Sequence, residues 1–341
     1  MKLMKTEEAA GQVLCHDITQ IIKGVTKDVA FRKGHVISKE DISLLLSLGK
    51  DHVYIWETSG DMLHEDDAAD ILRQICQGAY MHPTSPKEGK IELVADIDGV
   101  LIVDTDRLRD VNSLGEMMIA TRASGFPVKK GDKLCGTRVI PLVIEKEKMN
   151  QARQAAGNEP LLRLLPFRSK KYGLITTGNE VFHGRILDTF SPVIRAKMDE
   201  YSCELAEHRI LDDDHRKITA AIKEMLAIGV DMVLCTGGMS VDPDDKTPLA
   251  IKNSGVSVVS YGAPVLPGAM FMIAYTADGR PVCGLPGCVM YSKRTIFDLA
   301  LPLLIADAPV TSQWLSGLGN GGLCLNCFDC RFPNCMFGKG V

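Results

Sequence analysis

The rhythm of hydrophobic and polar positions changes along the chain, and its most regular part spans residues 171–310. There, short apolar runs alternate with stretches of 3.6-residue period. Residues 172–176 and 231–235 read as buried strands. Ser191-Pro192 opens a helix carrying Val193, Ile194, Met198 and Leu205. Ile218, Ala221, Ile222, Met225 and Leu226 mark the next, which Gly229 ends. Residues 256–260, 271–275 and 281–284 follow as strands, and a last helix runs from residue 290 to about 305, interrupted near Pro302. Strand alternating with helix predicts an α/β domain, doubly wound on a mostly parallel sheet.

The chain before this domain has a different texture. Residues 1–57 form an α+β segment in which Ser38 stands as N-cap of a short helix with Ile42, Leu45, Leu46 and Leu48 on its apolar face. Gly49 ends that helix, and a strand follows over 52–56. Residues 58–160 read as a small β-rich α+β domain. It starts with a helix carrying Ala68, Ile71, Leu72 and Ile75, and 81–89 form a loop. Strands 91–95 and 100–103 are joined by an Asp98-Gly99 hairpin turn, strands 117–121 and 131–140 come next, and a charged helix runs from 145 to 156. Residues 311–341 are a short cysteine-rich tail.

A length of 341 residues predicts about two or three domains. With 45% hydrophobic and 24% charged residues, wholesale disorder and fibrous structure are excluded. The 39 basic against 43 acidic residues leave a formal charge of −4, without the basic surplus of a nucleic-acid binder. Met1-Lys2-Leu3-Met4-Lys5 opens no signal-like apolar run, and the apolar stretch 300–306 is too short to span a bilayer, so the expected location is cytoplasmic, off the membrane. Eleven cysteines in such a chain suggest thiols and metal ligation rather than a disulfide framework.

Ligands of such a sheet gather at the carboxyl ends of its strands, and the three loops there are rich in glycine. The first reads Thr176-Thr177-Gly178-Asn179-Glu180 and continues to Asp188. The second runs Thr236-Gly237-Gly238-Met239-Ser240-Val241-Asp242-Pro243-Asp244-Asp245-Lys246-Thr247-Pro248. The third is Leu285-Pro286-Gly287-Cys288. Glycine lets backbone N–H groups approach an anion, hydroxyls add donors, and the Asp242, Asp244, Asp245 run offers hard oxygens to Mg²⁺, so phosphate binding is one reading. Tight turns with a solvated acidic tip are the other.

Together these loops resemble the molybdopterin-binding domain shared by molybdopterin molybdenumtransferases and molybdopterin adenylyltransferases. The family's Thr-Gly-Asp-Glu loop appears as Thr177-Gly178-Asn179-Glu180, its Gly-Gly-x-Ser-Val-Gly-x-x-Asp loop as Gly237 to Asp245, and its Leu-Pro-Gly-Asn loop as Leu285-Pro286-Gly287-Cys288; Asp245-Lys246-Thr247-Pro248 matches the adenylyltransferase Asp-x-Thr-Pro. Asn179, Asp242 and Cys288 depart from the pattern, Pro267-Gly268-Ala269-Met270 lacks a lysine, and the Ser-Ala-Met-Asp-Gly-Tyr-Ala segment of full-length molybdenumtransferases has no match. The resemblance implies molybdopterin and Mg²⁺ as ligands. Thr177, Gly178, Asn179, Asp188, Gly237, Gly238, Ser240, Thr247, Pro286 and Gly287 would bind the pterin phosphate, Asp245 would hold Mg²⁺, and Glu180 and Asp242 would position metal or water. It also implies molybdate as co-substrate, a client molybdoenzyme and a homodimer. A non-catalytic carrier or sensor of the finished cofactor is the alternative reading.

In the tail, Cys324, Cys327, Cys330 and Cys335 stand at CxxCxxCx₄C spacing. This approaches the ferredoxin run that holds a [4Fe–4S] cluster, though the last gap is longer and no proline follows Cys335. A Cys₄ zinc site is the rival, although such sites usually use two separated CxxC pairs. Cys235 and Cys283 lie on strands as small packed hydrophobes, His16 and His35 read as surface histidines, and Asp212-Asp213-Asp214 as a loop whose carboxylates favour the following helix N-terminus.

Overall fold

The computed structural model describes residues 2–22, 26–55 and 61–340; Trp56, at the end of the expected strand 52–56, lies outside them. By its internal contacts the chain divides into two interleaved units. The first comprises residues 1–96, 104–122 and 131–163, the second 97–103, 123–130 and 164–341.

In the first unit Lys2–Lys5 pairs with His52–Ile55, and Ile18–Ile22 with Thr26–Phe31, both antiparallel. The short helix is Asp41–Ser47, starting later than Ser38 suggests. Ser38 and Asp41 bond each other ahead of it, Ser38 N–H to Asp41 Oδ2 at 2.8 Å and Asp41 N–H to Ser38 Oγ at 3.2 Å. Farther along, Met81–Pro83, Lys90–Ala95, Lys133–Val139 and Met117–Thr121 form a four-stranded antiparallel sheet packed against helix Glu65–Cys76. Met81–Pro83 is thus strand where a loop is expected. Helix Thr105–Ser113, which the pattern does not announce, starts where Asp104 Oδ1 accepts from Arg107 N–H at 3.1 Å.

Asp98-Gly99 makes no hairpin. Lys90–Ala95 pairs with Lys133–Val139 and Met81–Pro83, whereas Gly99–Val103 pairs with Phe126–Val128 in the second unit. Gly99 has no left-handed φ, which the expected turn would need; it is required because a Cβ there would lie 2.4 Å from Leu165 O.

The second unit is built on a six-stranded sheet. In chain order its strands are β1 (Lys171–Thr177), β2 (Glu204–Leu211), β3 (Met232–Thr236), β4 (Ser257–Tyr261), β5 (Met272–Tyr275) and β6 (Pro281–Leu285). Their spatial order is β2-β1-β3-β6-β5-β4, parallel from β2 to β6 and antiparallel at β5 and β4. Alternate residues feed opposite faces. Tyr172, Leu174, Met232, Leu234, Cys283 and Leu285 meet helices α1 (Phe190–Asp199) and α4 (Ile296–Ile305). Ile175, Val233, Cys235 and Val282 meet α2 (His215–Ala227) and α3 (Thr247–Asn253). This is the doubly wound α/β architecture, with a mixed rather than wholly parallel sheet.

Two expected elements shift. Helix α1 ends at Asp199, so Leu205 belongs to edge strand β2. The last helix begins only at Ile296, where Thr295 and Asp298 form a capping box, and continues through Pro302. Val100 and Phe126, from the strands distant in sequence, complete the core under α4. At the base of α4 the Lys197 Nζ–Asp298 Oδ1 pair, 2.6 Å long, is buried, and Arg294 Nη1 joins Asp298 at 2.9 Å. Among the described residues no helix is long and apolar enough to cross a membrane.

Candidate functional site

The carboxyl ends of β1, β3 and β6 bring the three glycine loops together. After β3 the chain turns through Gly237 (φ +85°) and Gly238 (φ +54°). A Cβ on Gly237 would lie 2.1 Å from Thr177 O, and one on Gly238 would lie 3.0 Å from Thr247 Oγ1 and 3.2 Å from Thr177 Oγ1. Both positions therefore demand glycine, for backbone conformation and for space. The contact they permit is polar: the buried Thr177 and Thr247 hydroxyls bond each other at 3.2 Å, and Thr247 N–H donates to Gly238 O at 3.2 Å.

Beyond this contact the second loop is held open. Tyr261 OH donates to Met239 O at 2.9 Å, and Met239 is buried against Gly284, where a Cβ would lie 2.5 Å from its sulfur. Among the described residues the N–H groups of Gly238, Met239 and Ser240 donate to no acceptor. Consecutive N–H groups of this kind form a concavity suited to an anion. In the third loop Pro286 is buried and Gly287 exposed, and a Cβ on Gly287 would meet nothing within 4 Å. No protein contact requires glycine there.

Carboxylates flank the concavity. Asp242 and Asp245 close a turn, with Asp245 N–H to Asp242 O at 2.9 Å and Asp242 N–H to Asp245 Oδ2 at 3.1 Å. Asp213 was assigned by sequence only to the helix N-terminus, yet its Oδ2 accepts from Asn179 N–H at 3.0 Å. Burial raises its pKa, and repulsion from Glu180, Asp244 and Asp245 raises it further. Asp214 is the residue that caps α2, accepting from Arg216 N–H at 2.9 Å. Asn179 thus stands where another carboxylate would add to the repulsion on Asp213. Nothing in the sequence separates Asp213 from its two acidic neighbours; only the pairing of β2 with β1 does.

Asp188 is turned into the protein. Its Oδ1 accepts from Phe190 N–H (2.9 Å) and Ser191 N–H (3.1 Å) at the start of α1, and its Oδ2 lies 3.3 Å from Thr176 Oγ1 and 3.6 Å from His208 Nε2. Burial opposes its charge, but the Ser191 hydroxyl and these N–H groups hold the carboxyl below the ordinary range. Thr176 Oγ1 also meets His208 Nε2 at 3.0 Å, and burial lowers the His208 pKa. Asp188 therefore shapes the first loop from beneath.

The donor set around Asp213 is hard oxygen, as Mg²⁺ requires, but among the described residues no three His, Cys, Asp or Glu side chains converge as a ready coordination shell. Mg²⁺ commonly takes one or two protein carboxylates and completes its sphere with water and substrate phosphate, so the residues fit that mode of binding. Nor, among the described residues, do the four tail thiols converge as a ready shell. Cys324 and Cys335 are half-buried against the core while Cys327 and Cys330 are exposed. Cys235 and Cys283 are buried in the sheet, and burial pushes the Cys235 thiol up to about 12. In the first unit His35 pairs with Asp41 at 2.7 Å, and His16, expected in solvent, has a buried, unpartnered Nδ1.

Comparison with known proteins gives two family matches. Residues 173–306 match the family described as probable molybdopterin binding domain, and residues 3–57 a domain of unknown function. The chain is 24% identical over 326 residues to the molybdopterin molybdenumtransferase of Haemophilus influenzae, covering 91% of this chain and 74% of that protein. It is 25% identical over 196 residues to the Synechococcus elongatus protein of the same name, covering 54% of this chain but only 46% of the relative, less than half its length. Among solved structures, the tungsten cofactor synthesizing protein MoaB from Pyrococcus furiosus aligns at 22% identity and TM-score 0.32, covering 41% of this chain and 91% of that one.

Proposed function

We propose, from the match of residues 173–306 to the family described as probable molybdopterin binding domain, that this protein is a transferase of molybdenum cofactor biosynthesis, inserting molybdate into adenylylated molybdopterin. The observation that carries the reading is the Gly237–Gly238 turn. It is locked against Thr177 and Thr247 and presents free N–H groups beside an exposed Gly287 and a cluster of carboxylates. In this reading Gly238, Met239 and Ser240 donate to the pterin phosphate, and Gly178, Pro286 and Gly287 let the ligand approach backbone. Asp245 and Asp213 would hold Mg²⁺, and Glu180 and Asp242 would orient metal or water. Mg²⁺, when bound, would neutralise phosphate charge and polarise a phosphoryl oxygen. The alternative, a non-catalytic carrier, is favoured by Ala269, which brings no cation to its turn.

Anaerobic incubation with adenylylated molybdopterin, Mg²⁺ and molybdate, following AMP and bound pterin together, tests the proposal. Molybdate-dependent AMP release is expected, with Asp245→Asn lowering turnover about tenfold or more. Pterin binding without AMP release would make the protein a carrier, and absence of binding would overturn both readings.

A further inference from the structure

The tail is a closed loop built around thiols. Gly338 N–H donates to Gly321 O at 2.9 Å, and the two arms cross so tightly that a Cβ on Gly321 would lie 2.6 Å from Gly340 N. Residues 322–337 between these arms contain no helix and no strand beyond one bridge, Leu266 to Leu323. Loops of this length without secondary structure are uncommon in compact proteins and usually functional.

The cysteines divide by how they are held. Cys324 is pinned, its N–H donating to Leu266 O at 2.8 Å, and Cys335 packs on the core beside Phe332, whose ring stacks with Phe126 and Phe337. Cys327 and Cys330 ride the exposed excursion with Leu325 and Phe328, which are 79% and 93% exposed. An excursion that buries so little apolar surface lacks the means to fix itself, and small structures in this position are commonly stapled by metal. Cations surround it: Lys293 Nζ donates to the carbonyls of Cys327 (3.4 Å) and Phe328, Arg294 lies 5.1 Å over the Phe332 ring, and Arg331 sits within the run.

We infer that Cys324, Cys327, Cys330 and Cys335 form a four-thiolate site for a soft metal centre, a [4Fe–4S] cluster or a zinc ion. The two anchored thiols receive it, and the exposed pair folds in around it. Because structure forms with the metal, no ready shell exists beforehand. This site stands apart from the pterin loops and does not depend on their reading.

Full-length protein purified anaerobically would be analysed for zinc, iron and acid-labile sulfide, beside the variant Cys327→Ser/Cys330→Ser, whose exposed positions leave the core intact. About one centre per chain is expected in the natural protein, with a loss of about tenfold or more in the variant. Iron with sulfide and a visible thiolate-to-iron band would identify a cluster, and zinc alone a zinc site. Trypsin cleavage after the exposed Arg331 should accelerate when the metal is stripped. A protein with less than about a tenth of a metal centre per chain after anaerobic purification and reconstitution, or one whose metal survives the double substitution undiminished, would overturn the inference.

Discussion

Gly237→Ala tests the construction of the glycine loops most directly. The substitution sets a Cβ 2.1 Å from Thr177 O at a left-handed φ of +85°. The left-handed conformation alone costs about 1–2 kcal/mol for a non-glycine residue. The obstacle is backbone, which no rotamer change relieves, so the first and second loops must part by at least about 0.9 Å to restore even the shortest contact that real Cβ atoms make. That movement pulls on the 3.2 Å Thr177–Thr247 hydrogen bond and spreads the Gly238–Ser240 donors. A displacement near 1 Å in a binding constellation costs on the order of 100-fold, or about 2.8 kcal/mol. Gly279→Ala is the matched control, since Gly279 has φ +88° and nothing within 4 Å of its Cβ, and so isolates the conformational cost. Calorimetric titration with molybdopterin and thermal melts of both variants should show weak binding and a lowered Tm for Gly237→Ala, with Gly279→Ala binding normally and losing only a little stability. Gly237→Ala that binds within about threefold of the natural protein and melts with Gly279→Ala would refute the steric reasoning.

Other consequences are equally measurable. Asp298→Asn would strand the buried Lys197 ammonium and should cost about 3–5 kcal/mol in urea unfolding of the second unit; an unchanged midpoint would mean the pair is dispensable. His208 has its folded pKa lowered below 6.5 by burial, so its contribution to stability is full above that value and is lost as pH falls through it. His208→Gln should flatten the melting profile between about pH 7 and 5. Asp213 has its pKa raised, so stability is favoured at pH below its unfolded pKa of 3.8 and declines as pH rises through its higher folded value. Asp213→Asn should remove that decline while weakening the Mg²⁺ dependence of pterin binding, and a variant with undiminished Mg²⁺ dependence would exclude Asp213 from the metal.

The α/β unit was legible because its strands are buried on both faces, so runs such as Met232–Thr236 read as continuous apolar segments between amphipathic helices. The glycine loops were legible for a related reason: Gly237 and Gly238 are dictated by local backbone and by one close contact, and such constraints appear as residue types. What escaped was set by pairing at a distance. Edge strand β2 is only half-buried and carries a mixed pattern, so Leu205 passed for the end of a helix. Asp98-Gly99 has the composition of a hairpin turn, yet its flanking strands find partners about 25–50 residues away, and Gly99 serves a contact with Leu165 O. Asp213 escaped because its role comes from strand register rather than from its neighbours in sequence.

The interleaving of the two units also sets an order of events on the ribosome. Gly99–Val103 and Phe126–Val128 leave the exit tunnel roughly 170–200 residues before the helix Ile296–Ile305 on which Val100 and Phe126 pack, and at about 5–20 residues per second that interval is roughly 10–40 s. Until then the apolar faces that Val100 and Phe126 turn toward that helix lack their native cover. The core of the second unit is therefore complete only once that helix has been released. An excised fragment beginning at residue 164 would lack Val100 and Phe126, so cutting the α/β part of this chain at its apparent ends would leave the core under that helix incomplete.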